Sequence, residues 1–369
     1  MSQRPPFRAD HVGSFLRPQR LLDARQQHQD GKLGDAELRG IEDEGITEVV
    51  RDQERVGLQD VTDGEFRRTY FHIDFLEQLQ GVAVSGGISV KFHSKKGEVD
   101  FAPPRLSVTG KLRHVRDIQR RDFEFLQSHT SRTPKVTIPS PTMVHFRGGR
   151  KAIDIEAYPD LDEFFADLAQ CYRDEIASLY EAGARYIQMD DTNLAYLCDP
   201  HIRDDARSRG EDPNELPRTY AALINSVIDD RPDDLTITVH LCRGNFRSSW
   251  VAEGSYEPVA EILFNEMNVD AYFLEYDDER SGDFAPLRFM PDDKTLVVGL
   301  VTTKTGELED QSMLIKRVHE AAHYMSLDNM CLSPQCGFSS TVHGNELSED
   351  QQWAKLELVV DTARQIWGD

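Results

Sequence analysis

Four side chains of this sequence have the chemistry of ligands for a borderline or soft metal ion, namely His240, Cys242, Glu275 and Cys336. His240 and Cys242 are two residues apart at the end of a β-forming run, so on a strand both side chains point to the same face. Such a pair alone is also typical of a buried histidine beside a core cysteine. Two thiolates, one imidazole and one carboxylate together form a set that Zn²⁺ accepts in a tetrahedron, and this set predicts a metal centre.

The elements that would bring these side chains together alternate regularly along the chain. Eight β-rich runs occur, at residues 10–14, 58–65, 135–141, 186–191, 235–242, 270–276, 295–301 and 329–334. Apolar residues at helical spacing separate most of the runs, and the pattern is clearest over Leu161–Glu181, Val259–Asn268 and Gln311–Met325. This alternation predicts an α/β fold, a (β/α)8 TIM barrel rather than an open sheet.

Polar and ionisable residues gather at the carboxyl ends of the predicted strands, whereas the strand bodies are mostly apolar. In a parallel barrel those ends meet at one mouth, where barrel enzymes build their active sites. Ligands that are far apart in the sequence would become neighbours there, although their spacing matches no zinc finger or ribbon. A purely structural zinc is the alternative, and strands that need no metal to hold them in place weigh against it.

One segment interrupts the alternation, at residues 82–116 between the second and third predicted strands. It contains short β-like runs, glycines and a basic cluster but no helical period. We interpret it as an inserted β-hairpin or lid, long enough to cap a barrel mouth. The sequence shows no internal repeat and no low-complexity linker, so we expect one catalytic barrel domain over residues 1–369.

Composition excludes several classes of protein. The formal net charge is −23, and no basic face emerges, which disfavours nucleic-acid and anionic-membrane partners. The N-terminal stretch "MSQRPPFRAD" has no apolar signal-peptide core, and no run of about 18 apolar residues occurs, which favours a cytoplasmic protein. Five cysteines in 369 residues do not form a disulfide framework, so the thiols are free to be ligands.

The ligand set also bears on the reaction. A zinc ion can activate water or lower the pKa of a bound thiol. Two thiolate ligands push electron density onto zinc, which makes it a poorer Lewis acid for water and leaves a bound substrate thiolate nucleophilic. The set therefore favours S-alkylation over hydrolysis.

Seven stretches, in order along the chain, resemble the cobalamin-independent methionine synthase family, and in particular its short single-barrel members. They are "HVGSFLRP", "DVTDGEFRR", "VTIPSP", "MDDTNLAYLCDP", "HLCRGNFRSSW", "EYDDERSGDFAPL" and "LSPQCGFSS". The similarity runs from about residue 7 to 365, nearly the whole chain. The resemblance implies a zinc-dependent methyltransferase that moves a methyl group to a small thiol, homocysteine, to give methionine.

The resemblance also implies roles for individual residues. The four metal-type side chains would hold Zn²⁺, which binds the substrate as a thiolate. In the family, carboxylates hold the amino group of homocysteine, and the matching positions are Glu65 in "DGEF" and Asp190 in "QMDD". The substrate carboxylate is held after the first strand, here at Gly13 and Ser14. Electrostatics agrees, because an ammonium favours paired acids and a carboxylate favours N–H and O–H donors. A surface or helix-capping carboxylate is the alternative for each acid.

Two departures from full-length family members leave the methyl donor open. Those members are about twice this size, and their additional N-terminal barrel helps to bind the folate. They also carry a histidine just after the seventh strand, where this chain has "GLVTTKTGELED" with Thr303 and Lys304. Lys304 is a candidate catalytic proton donor or anion contact, with a solvated lysine as the alternative. A folate or a corrinoid could supply the methyl group, and a homodimer also stays open.

His11 is the second candidate catalytic residue, near the end of the first predicted strand. It could shuttle protons or support the site from behind, and a structural hydrogen bond is the alternative. Two rival functions stay open for the whole chain. The barrel resembles, almost as well, epoxyalkane:thiol transferases that use the same ligands to open an epoxide. A non-catalytic zinc- or thiol-binding protein is the other rival, and the two amino-group acids weigh against it.

Overall fold

The computed structural model describes residues 4–87, 90–94 and 97–368. Its strands are β1 (Asp60–Val61), β2 (Gln80–Ser85), β3 (Val90–Ser94), β4 (Gly97–Phe101), β5 (Arg105–Arg113), β6 (Thr133–Pro134), β7 (Val136–Pro139), β8 (Tyr186–Asp191), β9 (Thr236–Leu241), β10 (Ala271–Glu275), β11 (Thr295–Val301) and β12 (Met330–Pro334). Its α-helices are α1 (Gln19–Gln29), α2 (Asp35–Val56), α3 (Ile73–Leu76), α4 (Arg120–Ser128), α5 (Leu161–Glu181), α6 (Asn193–Tyr196), α7 (Pro200–Ser208), α8 (Leu216–Ile228), α9 (Glu257–Glu266), α10 (Gln311–Ala321) and α11 (Glu349–Trp367). Short 3₁₀ turns span Pro141–Val144, Gly149–Ala152, Glu279–Ser281, Ala285–Phe289 and Leu327–Asn329.

Strands β7 to β12 form one parallel sheet in the order of the sequence. Almost every residue of these strands is buried, as expected for parallel strands that are covered by helices on one side and barrel interior on the other. Val, Ile and Leu suit both sides of these strands, because the helix-covered side and the barrel interior are both apolar. The carboxyl ends of six neighbouring strands therefore lie at one edge.

The remaining part of the ring is closed by shorter pairings. Strand β1 pairs with β6 in parallel, and the amide of Lys135 donates to the carbonyl of Val61 at 2.8 Å, which leads directly into β7. On the other side, Asp10 donates from its backbone N–H to Leu332 on β12 at 3.0 Å. The first segment is linked to the turn after β1 where the N–H of Phe15 donates to the carbonyl of Gly64 at 3.1 Å. The predicted fold class is confirmed.

The first two strands are shorter than the sequence predicts. Backbone pairing of the first segment is centred on Ala9 rather than on residues 10–14, and the second strand keeps only Asp60–Val61 of residues 58–65. Gly13 has a φ of 121°, which turns the chain away from extended pairing. The helices agree better: α5 has the predicted bounds, α9 begins two residues earlier at Glu257, and α10 ends at Ala321.

The segment at 82–116 contains antiparallel strands, and its residues 88, 89, 95 and 96 lie outside the described residues. Strand β2 pairs with β5, and β3 pairs with β4. The β3–β4 pair contacts the barrel through reciprocal backbone bonds between His93 and Trp250, at 2.6 and 2.8 Å. Phe101 at the end of β4 stacks on Phe246, with ring centroids 3.8 Å apart. This pair therefore lies across the loop that follows β9.

Among the helices of the described residues, none combines the length and the apolar character that crossing a membrane requires.

Candidate active site

The four metal-type side chains converge at the carboxyl ends of the strands. His240 lies on β9, Cys242 directly after it, Glu275 at the end of β10, and Cys336 in the loop after β12. One candidate ligand atom from each residue lies within 4.8 Å of those of the others, and all four residues are buried. The two sulfur atoms are 3.4 Å apart, and both cysteines are free thiols. The structure therefore brings these four residues together at the carboxyl ends of the strands.

The cluster passes a test of fit for a metal ion. Both ring nitrogens of His240 and Oε2 of Glu275 are buried without a hydrogen-bond partner among the described residues. Buried polar atoms are normally paired, so orphaned atoms that face each other in a cluster indicate a missing partner. Two sulfurs, one imidazole and one carboxylate are a donor set that suits zinc. The residues present therefore fit the ion that the sequence predicts.

The neighbours of Glu275 fix the orientation of its carboxylate. Its Oε1 accepts a hydrogen bond from the backbone N–H of Arg243 at 3.1 Å, which leaves Oε2 directed to the cluster. The backbone N–H of Glu275 donates to the hydroxyl of Tyr256 at 3.1 Å. The guanidinium of Arg243 lies over the ring of Tyr256, 4.5 Å from its centroid. A buried cation beside the acidic cluster offsets part of its negative charge.

Contact between the thiols of Cys242 and Cys336 shifts their pKa values in opposite directions. The hydrogen bond to Cys242 holds the pKa of the Cys336 thiol well below its usual range. The same contact raises the pKa of the Cys242 thiol. The pair therefore accommodates a first negative charge on the sulfur of Cys336, even without a metal ion.

Glu65 is held in an unusual backbone conformation. Its φ is 60°, a left-handed value that costs a non-glycine residue about 1 kcal/mol or more unless its surroundings impose it. The hydroxyl of Thr137 donates to Oε1 at 2.8 Å, and Arg68 lies 3.3 Å from the same oxygen. Oε2 has no hydrogen-bond partner among the described residues. One oxygen is thus fixed, and the other is available to a ligand.

Asp190 lies beside Glu65 at the end of β8. Gln188 donates to its Oδ1 at 2.8 Å. Burial, together with the nearby charge of Glu65, raises the pKa of Asp190 to about 7, and burial also raises the pKa of Glu65. Two buried acids that disfavour each other's ionisation would both be stabilised as carboxylates by an incoming cation.

Gly13 and Ser14 lie against the loop that carries Cys336. The hydroxyl of Ser14 accepts from the N–H of Ser339 at 3.3 Å, and its carbonyl accepts from the N–H of Phe338 at 2.9 Å. A Cβ on Gly337 would lie 1.9 Å from Oγ of Ser14, so only glycine permits this approach. The end of the first strand and the last loop therefore form one packed unit.

A cleft of about 640 Å³ connects these groups. Glu65, Asp190, Ser14 and three of the four cluster residues line it, namely His240, Cys242 and Cys336. The rest of the wall is largely aromatic and is formed by Tyr70, Phe71, His72, Phe92, Phe101, Tyr196 and Phe246. Phe92 and Phe101 come from the β3–β4 pair, so this pair supplies part of the cleft wall. The lining of the cleft therefore combines polar and ionisable side chains with a set of aromatic ones.

Neither candidate catalytic residue lines the cleft. His11 lies in a buried network inside the barrel, where its Nε2 is 3.2 Å from Asp60. Lys135 in the same network lies 2.6 Å from Asp10 and 2.7 Å from Asp60, and the hydroxyl of Tyr186 donates to Asp10 at 3.0 Å. This arrangement ties the first three strands together through charge.

Lys304 is buried rather than solvated, with 8% of its surface exposed. Its ammonium has no hydrogen-bond partner among the described residues. Its charge lowers the pKa values of Glu275 and Cys336, although the burial of Glu275 and its acidic neighbours leave the pKa of that carboxyl raised overall. Lys304 therefore lies behind the cluster as a second buried cation.

Several residues of the site are absent from the sequence-based prediction. Arg17, two residues after the "GSF" stretch, donates hydrogen bonds to two loops at the rim of the cleft. Phe92 and Phe101 were placed only as part of an unspecified lid. Tyr196 and Arg147 also line the cleft. Phe92 and Phe101 occupy apolar positions in the inserted segment, a signal that could have directed them to the barrel, whereas an isolated arginine carries no such signal.

Comparison with known proteins assigns this barrel with its candidate metal centre to a family. Residues 7–365 match the family described as "Cobalamin-independent synthase, Catalytic domain". The chain is 48% identical over 368 residues to YxjH of Bacillus subtilis, described as an uncharacterized protein, with 99% of this chain and 96% of YxjH covered. It is 25% identical over 343 residues to a methionine synthase of Saccharolobus islandicus, covering 91% of this chain and 90% of that protein.

Two solved structures have the same fold as this chain. A Listeria monocytogenes protein, presented as a candidate vitamin-B12 independent methionine synthase, is 40% identical with a TM-score of 0.80 and full coverage of both chains. A B12-independent methionine synthase from Shewanella, in complex with selenomethionine, shares the fold with a TM-score of 0.72 at 20% identity, covering 96% of both chains. The chain therefore belongs to the cobalamin-independent synthase catalytic-domain family, which is a family of methyltransferases of methionine biosynthesis.

Proposed function

We propose that this protein transfers a methyl group to the sulfur of homocysteine to give methionine, with Zn²⁺ held by His240, Cys242, Glu275 and Cys336. The observation that carries the proposal is the arrangement of one cleft. The candidate metal cluster contributes His240, Cys242 and Cys336 to its lining, together with two buried acids that favour a cation. An amino-acid thiol has a sulfur for the first feature and an ammonium for the second.

Zinc, when bound, would lower the pKa of a coordinated thiol and so keep it deprotonated at neutral pH. A substrate thiol would approach the four residues that would hold zinc from the cleft, which His240, Cys242 and Cys336 line. The buried cations Arg243 and Lys304 offset the negative charge of the ligand set. Lys304 thereby acts through the cluster rather than on a leaving group, because it does not line the cleft.

Glu65 and Asp190 would hold the substrate ammonium. Each offers an oxygen in the cleft, and the positive charge would stabilise both carboxylates in ionised form. Ser14 and the adjoining Gly13 would receive the substrate carboxylate through N–H and O–H donors. Two acids at this end favour an amino-acid thiol and disfavour a sulfonated one. His11 supports this end indirectly, through the charged network that fixes the first strand.

The aromatic chamber would hold the methyl donor against the sulfur. The sulfur–carbon bond of methionine forms as the bond between the methyl carbon and the donor's leaving atom breaks, and the electron pair stays on the leaving group. A leaving group that becomes basic takes up a proton from solvent or from a residue of the chamber. Alignment in a closed, apolar chamber supplies most of the rate, since the protein itself forms no covalent bond. The β3–β4 pair, through Phe92 and Phe101, would act as the lid of this chamber.

The test begins with the zinc content of the purified protein. Turnover of homocysteine then follows with methyl-folate as mono- and triglutamate, with methylcobalamin and with a simple epoxide. About one zinc per chain and methionine from any methyl donor would support the proposal and identify the donor class. Zinc with epoxide consumption and no methyl transfer would assign the chain to thiol alkylation of another type, and a protein that takes up no zinc would refute the metal centre.

A further inference from the structure

Arg17 joins two loops at the rim of the cleft, around residues 65–71 and 336–342. These loops are also hydrogen-bonded to each other, because the N–H of Phe71 donates to the carbonyl of Ser340 at 3.2 Å and that of Val342 to the carbonyl of Thr69 at 2.8 Å. Its Nη1 donates to the carbonyl of Ser339 at 3.1 Å, to the hydroxyl of Ser339 at 2.7 Å and to the carbonyl of Thr341 at 3.2 Å. Its Nη2 donates to the carbonyls of Glu65 at 2.7 Å and Arg68 at 2.9 Å. One side chain thus holds both the turn that carries Glu65 and the loop that carries Cys336.

The hydrogen bonds of Arg17 are made by a buried cation. The side chain is 6% exposed, and burial lowers its pKa to about 10, so the guanidinium is charged at neutral pH. Within the described part of the chain, no carboxylate lies within ion-pair distance of it. Four backbone carbonyls and one hydroxyl accept from Nη1 and Nη2, which offsets much of the cost of burying the charge, whereas Nε has no hydrogen-bond partner among the described residues. Bonds from a charged donor are stronger than neutral ones, so both loops are held firmly.

Each loop carries one end of the proposed substrate site. Glu65 requires its left-handed backbone to direct its carboxylate into the cleft, and Arg17 binds the carbonyl of that residue. On the other side, Arg17 fixes Ser339 and Thr341, which follow the ligand Cys336 in the same loop. The separation between the amino-binding acid and the metal cluster therefore depends on this guanidinium as well as on the direct hydrogen bonds between the two loops.

We propose that Arg17 is a positioning residue that sets this separation and thereby selects the length of the thiol substrate. The inference rests on the proposed function, because it assumes an ammonium at Glu65 and a sulfur at the cluster. A substrate held at both ends must span a fixed distance. Homocysteine is one methylene longer than cysteine, and a pocket of fixed size discriminates one methylene by about 10- to 200-fold. A cleft whose two ends can shift loses that discrimination.

The experiment measures selectivity rather than activity. Binding of L-homocysteine and of L-cysteine to the zinc-loaded protein is measured by calorimetry for the wild type, Arg17→Met and Arg17→Lys. We expect the wild type to prefer homocysteine at least about tenfold. Arg17→Met should reduce the preference to about threefold or less at unchanged zinc content. Arg17→Lys keeps the charge but loses the planar guanidinium that binds both loops, so its preference for homocysteine should lie between those of the wild type and Arg17→Met.

Arg203→Met is the matched control. Arg203 also donates from Nη1 to two backbone carbonyls, those of Leu197 at 3.1 Å and Pro213 at 3.2 Å, but it does not line the cleft. The Arg203→Met substitution should lower the stability of the protein without changing its preference for homocysteine. If Arg17→Met does not fold, the intermediate selectivity of Arg17→Lys decides the matter.

The outcomes separate the two proposals. A wild-type protein that binds neither thiol, or both equally, would refute the proposed function and the inference with it. A wild type that prefers homocysteine, with Arg17 variants that keep the same preference, would refute the role of Arg17 alone. Equal losses of selectivity in Arg17→Met and Arg203→Met would also refute it, since general loosening would then be the cause.

Discussion

Asp190 and His240 occupy paired positions on the adjacent parallel strands β8 and β9, and both line the same cleft. A residue proposed to bind the substrate ammonium is therefore the direct neighbour of a candidate metal ligand. The register of a parallel sheet, rather than a flexible loop, fixes their relative positions. In the proposed function, recognition of the amino group and coordination of the sulfur would thus be coupled where β8 and β9 pair.

Replacing Cys336 with alanine should remove metal and activity together. The remaining three ligands cannot complete a closed site, and we expect zinc affinity to fall by at least about 100-fold. Zinc content and turnover with homocysteine are the measurements. Cys171→Ala is the control, because Cys171 is a buried thiol on α5 outside the cluster. A Cys336→Ala protein with full zinc and wild-type turnover would show that the ligand assignment is wrong.

Glu65→Gln should weaken the binding of homocysteine while zinc stays bound. Losing a charge-assisted hydrogen bond costs about 1.5–3 kcal/mol, which corresponds to a KM about 10- to 100-fold higher. Steady-state kinetics at a saturating donor concentration gives the value. The control is Glu42→Gln, since Glu42 is a buried acid that pairs with Arg25 away from the cleft. An unchanged KM in Glu65→Gln would exclude an ammonium contact at this residue.

Phe101→Ala tests the proposed lid. Its ring stacks on Phe246 and lines the apolar chamber, so its loss should raise the KM of the methyl donor by about tenfold. The affinity for homocysteine, measured without donor, should stay the same. Phe289→Ala offers a partly buried phenylalanine outside the cleft for comparison. A defect in homocysteine binding alone would place the donor elsewhere.

His145 should make stability depend on acid pH. Burial, helped by Arg209 and Arg150, lowers its pKa to about 4, while its Nδ1 lies 2.9 Å from the hydroxyl of Tyr220. In the unfolded chain the same imidazole titrates near 6.5. Between these values the unfolded state binds the extra proton, so stability falls as pH falls.

The contribution of His145 amounts to at most about 3 kcal/mol over that pH window. Urea unfolding at several pH values from 7 to 4 measures it. In His145→Gln the slope of the unfolding free energy against pH should be smaller by this contribution. Parallel curves for the two proteins would show that the imidazole is not buried in neutral form.

Lys135→Met should destabilise the barrel strongly. It would leave Asp10 and Asp60 buried without the ammonium that lies between them, at a cost of about 3–5 kcal/mol. The urea midpoint reports the loss. Combining Lys135→Met with Asp10→Asn and Asp60→Asn should recover part of it, because neutral amides need no counter-charge. A triple variant less stable than the single one would mean that the carboxylates have other essential partners.

Those parts of the fold that depend on local pattern could be predicted from the sequence. Helix α5 has the predicted bounds Leu161–Glu181, and β11 has the predicted bounds 295–301, because each carries its periodicity without interruption. Residues 10–14 and 58–65 could not be assigned so well. Their polar residues Asp10 and Asp60 are satisfied by Lys135, a partner far away in sequence.

The candidate site likewise contains residues that could be predicted from the sequence and residues whose positions depend on tertiary packing. The clustering of His240, Cys242, Glu275 and Cys336 was predictable, because His, Cys and Glu at strand ends are chemically distinctive and a barrel gathers strand ends. Arg17 was missed, since an arginine in a loop is usually solvated and its burial depends on two distant loops. The burial of Lys304 depends equally on tertiary packing. Pairing of β2 with β5 around β3 and β4 is likewise a long-range arrangement that the local β pattern leaves undetermined.

The uneven ring of strands gives the molecule two mechanical parts. Strands β7 to β12 share continuous hydrogen-bonded ladders and carry Asp190, His240 and Glu275. The remaining quarter of the ring, which carries Ser14 and Glu65, joins them by short pairings and by side chains. Amide hydrogens should therefore exchange slowly in the first part and faster in the second. The metal ion would be bound mainly by the slowly exchanging strands β7 to β12. The ammonium and carboxylate of the substrate would reduce the motion of the faster-exchanging part when they bind.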